Sequence, residues 1–257
     1  MKAKKSLGQN FLMHRQTAER IVQAAEVTSD DTVMEIGPGT GMLTRVLLSV
    51  AKKVIAVEAD GELVAELHTT FTEEIANGRL TLIHEDIRNV NPSSFGSYRL
   101  VANIPYYITG EIIRTFLTTT AKPRSMTLLV QKEVAERIAR SKKESVLSIA
   151  VKTYGTPRYC FTVPRGAFRP APNVDSAVLT ITDIQAPFAS LEDEEWFFTV
   201  LKTGFMHKRK QLTKNLEGIA TGERVKEALI DAGVSLTVRP EDVPLSSWKV
   251  IAEHVRI

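Results

Sequence analysis

The feature that most constrains the fold is the alternation, from residue 32 onward, of short apolar segments with amphipathic ones. The apolar segments are short and contain β-branched residues, as expected of buried strands: Thr32–Ile36, Lys53–Glu58, Leu80–His84, Tyr98–Ala102 and Ser125–Gln131. The segments between them have helical periodicity, for example Met42–Val50, Gly61–Phe71 and Gly110–Thr118. Alternating strands and helices predict an α/β domain, with a parallel sheet that helices cover on both faces.

The pattern changes beyond the fifth strand. Two helical segments and two more strands are predicted next: Lys132–Arg140, Ser145–Tyr154, Tyr159–Val163 and Ser176–Thr182. Only helical segments follow Ile184: Glu192–Phe205, Lys208–Leu216, Glu223–Asp231 and Ser246–Val255. The sequence therefore predicts a doubly wound α/β domain over residues 1–184 and a small all-helical domain over residues 185–257.

A glycine-rich turn follows the first of these strands. It reads Glu35-Ile36-Gly37-Pro38-Gly39-Thr40-Gly41, and a helix begins directly after it. Glycines allow a tight turn and a close approach of the backbone to a ligand. A dinucleotide fingerprint would have its third glycine where Met42 stands, so that class of ligand is not favoured. The pattern G-x-G-x-G instead favours S-adenosylmethionine, a methyl donor without phosphate groups.

Acidic residues stand where the next two predicted strands end. Glu58 lies 21 residues after Gly37, where a carboxylate can accept hydrogen bonds from both ribose hydroxyls of an adenosine ligand. An acid that only begins a loop would explain Glu58 equally well. Asp86 is placed to accept a hydrogen bond from an adenine amino group. The carboxyl ends of parallel strands meet at one edge of a sheet, so these residues together predict a single cofactor site.

The fourth predicted strand leads into Asn103-Ile104-Pro105-Tyr106. This motif is typical of enzymes that methylate the exocyclic amine of a planar base, which is a poor nucleophile. The Asn103 side-chain oxygen and the Ile104 carbonyl can accept its N–H groups, and Pro105 stiffens the turn. The Tyr106 ring offers a face on which an extruded base can stack. The alternative is a loop that uses asparagine, proline and tyrosine only as turn formers.

Phe168 stands in a proline-stiffened loop that runs from Gly166 to Ser176. A phenylalanine there is a candidate for the second stacking surface of the base. A phenylalanine that fills a gap in the core is an equally acceptable explanation.

The positive charge is concentrated in the middle of the chain. The net charge is only +3, yet residues 103–182 carry 12 basic and 5 acidic side chains, a net charge of +7. A polyanionic partner would most naturally bind this part, although a solvated basic face is the alternative. The candidate contacts with such a partner are Arg137, Arg140, Lys142, Lys143 and Arg165, and the helical domain would add Lys208, Arg209 and Lys210.

Composition excludes several other classes of protein. A single cysteine, Cys160, allows neither an internal disulfide nor a multi-cysteine metal site, so we expect a cytoplasmic protein without a metal. No apolar run approaches the roughly 20 residues that span a bilayer, and no apolar stretch follows the basic N-terminus as in a secretory signal. We therefore expect no association with membranes, and we also expect a monomer.

Taken together, these motifs resemble those of the ribosomal RNA adenine N6-dimethyltransferase family. The resemblance is carried by the glycine loop and by four further segments: Ser6–Leu12, Asn103–Tyr106, Val130–Arg137 and Phe168–Val178. The branch that modifies small-subunit rRNA is more similar than the antibiotic-resistance branch that modifies large-subunit rRNA. The sequence departs from the family at His14, where an acid is common, and at Lys208-Arg209-Lys210, where Arg-Arg-Lys is usual.

The resemblance implies a Rossmann-like enzyme that dimethylates N6 of two adjacent adenines near the 3′ end of small-subunit rRNA, within an immature particle. It implies that the methyl donor contacts Asn10, Leu12, Gly37, Glu58, Asp86 and Asn103. It also implies that Tyr106 and Phe168 enclose the target adenine and that residues 1–14 close over the donor. The alternatives are a large-subunit rRNA methylase, a DNA adenine methylase, or an assembly factor that acts mainly by binding.

Overall fold

The computed structural model describes residue 4, residues 8–207 and residues 209–256. The strands among these residues are β1 (Phe11–Leu12), β2 (Thr32–Ile36), β3 (Lys53–Glu58), β4 (Leu80–His84), β5 (Arg99–Asn103), β6 (Met126–Gln131), β7 (Thr156–Val163), β8 (Phe168–Arg169) and β9 (Ser176–Thr182). The α-helices are α1 (Arg15–Ala24), α2 (Met42–Val50), α3 (Gly61–Thr70), α4 (Thr72–Ala76), α5 (Thr109–Thr118), α6 (Lys132–Ala139), α7 (Val146–Tyr154), α8 (Leu191–Gly204), α9 (Leu212–Leu216), α10 (Gly222–Asp231) and α11 (Leu245–His254).

Seven strands form one sheet in the order β4-β3-β2-β5-β6-β9-β7. The first five are parallel, and residues of the inner strands, such as Val54 and Leu100, are fully buried. The predicted α/β architecture is therefore confirmed. The bounds of β2, β3 and β4 are the predicted ones, whereas β5 and β6 each begin one residue later than expected.

The direction of the chain across the sheet changes between β2 and β5. From β2 the chain moves outward to β3 and β4 and then returns, so that β5 pairs with the other side of β2. Loops that leave adjacent strands in opposite directions open a crevice at the carboxyl edge of an α/β sheet. The glycine turn after β2 and the Asn103 motif after β5 border this crevice.

Two features of the strand pairing were not predicted. β9 lies between β6 and β7 and is antiparallel to both, so the sheet is mixed at this end. β1 and β8 form a separate antiparallel pair, in which Phe11 is opposite Arg169 and Leu12 is opposite Phe168. Two-residue strands carry no periodicity, and therefore only the tertiary structure reveals this pairing.

The chain divides into two compact units. The first comprises residues 1–136 and 155–184 and contains both sheets; the second comprises residues 137–154 and 185–257. The chain passes from the first unit to the second after residue 184, where the sequence predicted the boundary. Residues 137–154, however, were expected in the α/β domain. They belong to the second unit because Ile149 packs in its hydrophobic core, and because the Glu144 N–H donates a 2.7 Å hydrogen bond to the Glu241 carbonyl oxygen.

The core of the second unit is built around Trp248, which is fully buried and stacks on Phe205 with 5.5 Å between ring centroids. A Cβ at Gly204 would overlap the Trp248 ring, so glycine is required where α8 meets α11. The helix predicted over Lys208–Leu216 is shorter than expected, since α9 begins at Leu212. No helix in the described part of the chain is both long and apolar enough to cross a bilayer.

Candidate active site

A cleft of about 1050 Å³, including its open mouth, lies at the carboxyl edge of the parallel strands. It is lined by the turns after β2, β3, β4 and β5 and by residues 8–12 of the N-terminal segment. Every lining residue belongs to the first unit. The crevice that the strand order creates is thus a formed cleft that several strand ends line together.

The glycine turn requires glycine at two positions along the cleft. Gly37 has φ 65° and Gly39 has φ 59°, in the left-handed region that residues with a Cβ rarely adopt. A Cβ on Gly39 would lie 3.0 Å from a ring carbon of Phe11. Gly41, predicted as a ligand contact, does not line the cleft: its Cβ would lie 2.5 Å from the Phe71 ring. Gly41 is therefore required for packing at the start of α2.

Glu58 stabilises the glycine turn from the end of β3. One of its carboxylate oxygens accepts the Gly39 N–H at 3.1 Å, and the other accepts the Asp60 N–H at 3.0 Å. Burial raises the pKa of the Glu58 carboxyl, against the opposing effect of these hydrogen bonds. Each carboxylate oxygen has a second lone pair, so Glu58 can still accept a hydroxyl group of a ligand in the cleft.

Glu35 is a second buried carboxyl beneath the same turn. It is 1% exposed, and burial raises its pKa to about 8 against the opposing effect of the neighbouring Thr44 hydroxyl, with a smaller raising contribution from the nearby Glu58. With this pKa the Glu35 side chain is mostly protonated near pH 7.

Asp86 lies at the edge of the cleft after β4, as predicted, but its carboxylate is already paired. It accepts 3.0 Å hydrogen bonds from the backbone N–H and the Nε of Arg88. The pairing with Arg88 lowers the pKa of the Asp86 carboxyl. A ligand amino group at Asp86 would therefore meet an ionised acceptor whose orientation the arginine determines.

The Asn103 side chain is held by the N-terminal segment. Its Nδ2 donates a 3.0 Å hydrogen bond to the backbone carbonyl oxygen of Asn10. A carbonyl oxygen only accepts hydrogen bonds, so the amide group of Asn103 must face it and the Oδ1 must point the other way. This is the orientation that an acceptor for an amine in the cleft requires.

The rest of the motif after β5 also lines the cleft. The Ile104 side chain is buried, whereas Pro105 and Tyr106 are partly exposed. The Tyr106 hydroxyl and the hydroxyl of the fully buried Ser176 lie 2.6 Å apart. Burial raises the pKa of Tyr106, so its hydroxyl is neutral and can form this hydrogen bond. The sequence pattern did not predict that Ser176, 70 residues away, would orient the tyrosine ring.

The structure does not place Phe168 at the cleft. Its ring is 2% exposed and packs in the hydrophobic core of the first unit, and Phe168 is not a lining residue. The ring faces the core rather than the cleft, as the alternative explanation expected, and a role of Phe168 in stacking on the base stays a prediction. The reason is strand alternation: in β8 Phe168 faces inward and Arg169 faces solvent.

The N-terminal segment approaches the cleft as the family resemblance implies. Asn10 and Leu12 are lining residues, and Leu12 is buried beside β8. Ser6 and Leu7 of the family motif lie outside the described residues. Gln9 and Tyr107, which the sequence analysis did not single out, also line the cleft, and Tyr107 is 63% exposed. A second tyrosine beside Tyr106 is the signal that could have identified this aromatic edge.

The candidate RNA contacts are divided between the two units. Arg165 belongs to the first unit; the second contains Arg137, Arg140, Lys142, Lys143, Arg209 and Lys210. All of these residues are exposed. The Lys143 ammonium is already paired, at 2.6 Å from a Glu241 oxygen and 3.1 Å from an Asp242 oxygen. Lys208 lies outside the described residues. In the described part of the chain no group of three histidine, cysteine or acidic side chains is placed to hold a metal ion.

The comparison with protein families gives one match that covers almost the whole chain. Residues 1–256 match the model of a family described as ribosomal RNA adenine dimethylase. Among curated proteins, the chain is 40% identical to the ribosomal RNA small subunit methyltransferase A of a Dehalococcoides mccartyi strain, over 97% of this chain and 87% of the relative. It is 38% identical to the protein of that name from Lactococcus lactis, over 97% and 89% of the two chains.

Two solved structures share the fold over nearly the full length. The 23S rRNA methyltransferase ErmE aligns with a TM-score of 0.77 and 26% identity, over 96% of this chain and 99% of its own. A dimethyladenosine transferase from Plasmodium falciparum aligns with a TM-score of 0.76 and 24% identity, over 94% and 95%. At that identity the second alignment is informative about the fold alone.

Proposed function

The chain belongs to the ribosomal RNA adenine dimethylase family and is a small-subunit rRNA adenine dimethyltransferase; from this premise we propose how its cleft binds both substrates. S-adenosylmethionine occupies the part beside the glycine turn and Glu58. The target adenine enters beside Asn103 and Tyr106. The observation that supports this arrangement is that one cleft is lined by all four features, which come from the ends of three strands, β2, β3 and β5.

The residues on the donor side fit S-adenosylmethionine. The left-handed backbone at Gly37 and Gly39 requires glycine, so no Cβ projects from the turn at these two positions, and Glu58 supplies lone pairs for ribose hydroxyls. Asn10, Leu12 and Asp86 complete the lining of this part. When bound, the donor supplies an electrophilic methyl group on a positively charged sulfur. The residues of the chain need only bind the donor, exclude water and orient the acceptor.

The acceptor side orients a weak nucleophile. The lone pair of an aromatic amine is delocalised into the ring. Hydrogen bonds from the amine to the Asn103 Oδ1 and the Ile104 carbonyl oxygen favour its localisation toward the methyl group. The Tyr106 ring, which Ser176 orients, stacks on the base and holds its plane. Alignment of this kind contributes a large part of a methyl-transfer rate without a covalent enzyme intermediate.

We propose that the substrate is rRNA within an immature small-subunit particle, bound by a monomer in the cytoplasm. The exposed basic residues of both units would contact the phosphate backbone. Such contacts position an RNA but do not specify its sequence. Specificity would come from the shape of the folded rRNA and from extrusion of the adenine.

The alternatives have less support. A large-subunit methylase is consistent with the ErmE alignment at 26% identity, but the relatives that are 38–40% identical carry the small-subunit name. None of the relatives described above is a DNA methylase. A role in assembly is compatible with catalysis, and the two functions can be separated by a variant that binds but does not methylate.

The decisive experiment maps methylated adenines in rRNA from cells with and without the gene, and from cells that carry Asn103→Ala or Asn77→Ala. Asn77 is an exposed asparagine that does not line the cleft, and it serves as the matched control. We expect loss of dimethylation at two adjacent small-subunit adenines in the deletion and in Asn103→Ala only. Loss at a large-subunit adenine instead would support the resistance-type alternative.

A further inference from the structure

We propose that Asp60 is a positioning residue for methyl transfer: through Gln9 it anchors the N-terminal segment whose Asn10 carbonyl orients the Asn103 amide. This inference rests on the proposed function of the same cleft. Asp60, Gln9 and Lys4 are joined by hydrogen bonds and together form the anchor. The glycine turn and the Asn103 motif alone do not explain why these three polar side chains converge.

Asp60 is the centre of the anchor. It is 5% exposed and lies two residues after Glu58, at the N-terminus of α3. One carboxylate oxygen accepts the Lys4 ammonium at 2.7 Å, and the other accepts the Gln9 amide at 2.9 Å. Burial favours a higher pKa, but the hydrogen bonds from Lys4 and Gln9 outweigh it and lower the pKa of Asp60. The carboxylate is therefore ionised and holds two side chains of the N-terminal segment at neutral pH.

Gln9 connects the anchor to the cleft. Its Oε1 accepts the Lys4 backbone N–H at 2.8 Å while its Nε2 donates to Asp60, so both ends of its amide are engaged. Asn10, the next residue, donates from its own side chain to the Gly8 carbonyl oxygen at 3.1 Å. These hydrogen bonds hold the chain before the Asn10 carbonyl group, and the pairing of Phe11 with Arg169 holds the chain after it.

The Asn10 carbonyl then determines which end of the Asn103 amide faces the cleft. Because its oxygen accepts the Asn103 Nδ2, the Oδ1 of Asn103 is the end left for a target amine. If the segment moved away, the amide could rotate by about 180° and present N–H groups to the amine. Two donors would then face each other, and the amine would have no acceptor.

The anchor is also adjacent to the donor site, since the Asp60 N–H donates to Glu58. The acid proposed to bind the ribose and the acid that holds the N-terminal segment are thus joined by one hydrogen bond. An ordered segment would complete the donor site and orient the amine acceptor together.

Gln9→Leu is the most informative variant, because it removes the link from Asp60 to the segment and leaves the helix cap of Asp60 intact. The control is Gln16→Leu, the same exchange at an exposed residue of α1. Asp60→Asn is the second variant, with Asp30→Asn at an exposed position as its control. Thermal unfolding of all four proteins checks that they are folded.

The first readout is the single-turnover methylation rate of small-subunit particles at saturating S-adenosylmethionine. We expect Gln9→Leu and Asp60→Asn to lower it by about 10- to 100-fold, as misorientation of a reacting group does, with both controls unchanged. The second readout is hydrogen exchange of the Asn103 side-chain amide in protein labelled with ¹⁵N-asparagine. Its resonance is the one that disappears in Asn103→Ala, and we expect exchange at least about tenfold faster in Gln9→Leu.

An Asn103 amide whose exchange is unchanged in both anchor variants would overturn the inference, whether or not the rate falls, since the effect would not pass through Asn103. A rate unchanged in both variants would overturn it as well. If wild-type protein does not methylate adenines in small-subunit rRNA, the proposed function fails, and the amide measurement still tests the hydrogen-bonded connection by itself.

Discussion

The Tyr106 hydroxyl lies 2.6 Å from the hydroxyl of Ser176, which joins the aromatic ring of the cleft to the start of β9. Tyr106→Ala removes the stacking surface for the base, worth about 1–3 kcal/mol, and should slow methylation by one to two orders of magnitude. Tyr106→Phe keeps the ring and removes only a hydrogen bond of about 1 kcal/mol, so a several-fold decrease is expected. Single-turnover assays distinguish the two effects.

Ser176→Ala removes the other partner of the same hydrogen bond. It should lower the single-turnover methylation rate about as much as Tyr106→Phe does. Tyr98→Phe is the matched control, because the Tyr98 hydroxyl donates to the Ala121 carbonyl oxygen and Tyr98 does not line the cleft. Full activity of Tyr106→Ala would exclude the stacking role.

Gly39→Ala should weaken binding of S-adenosylmethionine. The new Cβ would lie 3.0 Å from the Phe11 ring, so the ring or the turn must shift within the cleft. Gly78→Ala is a close control, because Gly78 also has a positive φ, 76°, but its Cβ would have no neighbour within 4 Å. We expect calorimetry to show about tenfold weaker binding for Gly39→Ala, which corresponds to about 1.4 kcal/mol. Equal affinities of the two variants would contradict the assigned donor position.

Glu35→Gln should make folding stability less dependent on pH. The pKa of Glu35 is about 8 in the folded protein and 4.5 when the carboxyl is not buried, so the folded state binds the extra proton between these values. The wild-type free energy of unfolding therefore falls as pH rises from 4.5 to about 8, with a slope of up to about 1.4 kcal/mol per pH unit from this group. Glutamine stays neutral and removes that contribution.

The measurement is urea unfolding at several pH values from about 5 to about 8, the window between the unfolded and folded pKa of Glu35. The stability of Glu35→Gln relative to wild type should rise steadily over this range. Glu66→Gln, at an exposed position of α3, should parallel wild type. A constant difference between Glu35→Gln and wild type would show that Glu35 does not titrate in this range.

Lys142→Glu should reduce the salt dependence of binding to small-subunit particles. The slope of log affinity against log salt should become shallower by roughly 0.7–0.9 for every lysine–phosphate ion pair that the substitution abolishes. Lys226→Glu, at an exposed position of α10 outside the basic segment, is the control. Lys143 is less suitable for this test, since its ammonium already pairs with Glu241 and Asp242. If Lys142→Glu and Lys226→Glu have the same salt slope, the basic segment is a solvated face and does not contact phosphate.

The sequence alone determined the features that depend on local pattern. Short apolar runs located the starts of the parallel strands to within a residue, because a buried strand needs continuous apolar side chains wherever it lies in the fold. The glycine turn and the motif Asn103–Tyr106 could be placed at one edge of the sheet, because the carboxyl ends of parallel strands meet there.

Only the tertiary structure decided the roles that depend on contacts between distant residues. Phe168 is a core residue because the short pairing of β8 with β1 turns its ring inward, and Gly41 packs against Phe71 instead of lining the cleft. Asn103 is oriented by Asn10, 93 residues earlier in the chain. A single side-chain hydrogen bond of this kind leaves no periodicity in the sequence, so composition and spacing cannot reveal it.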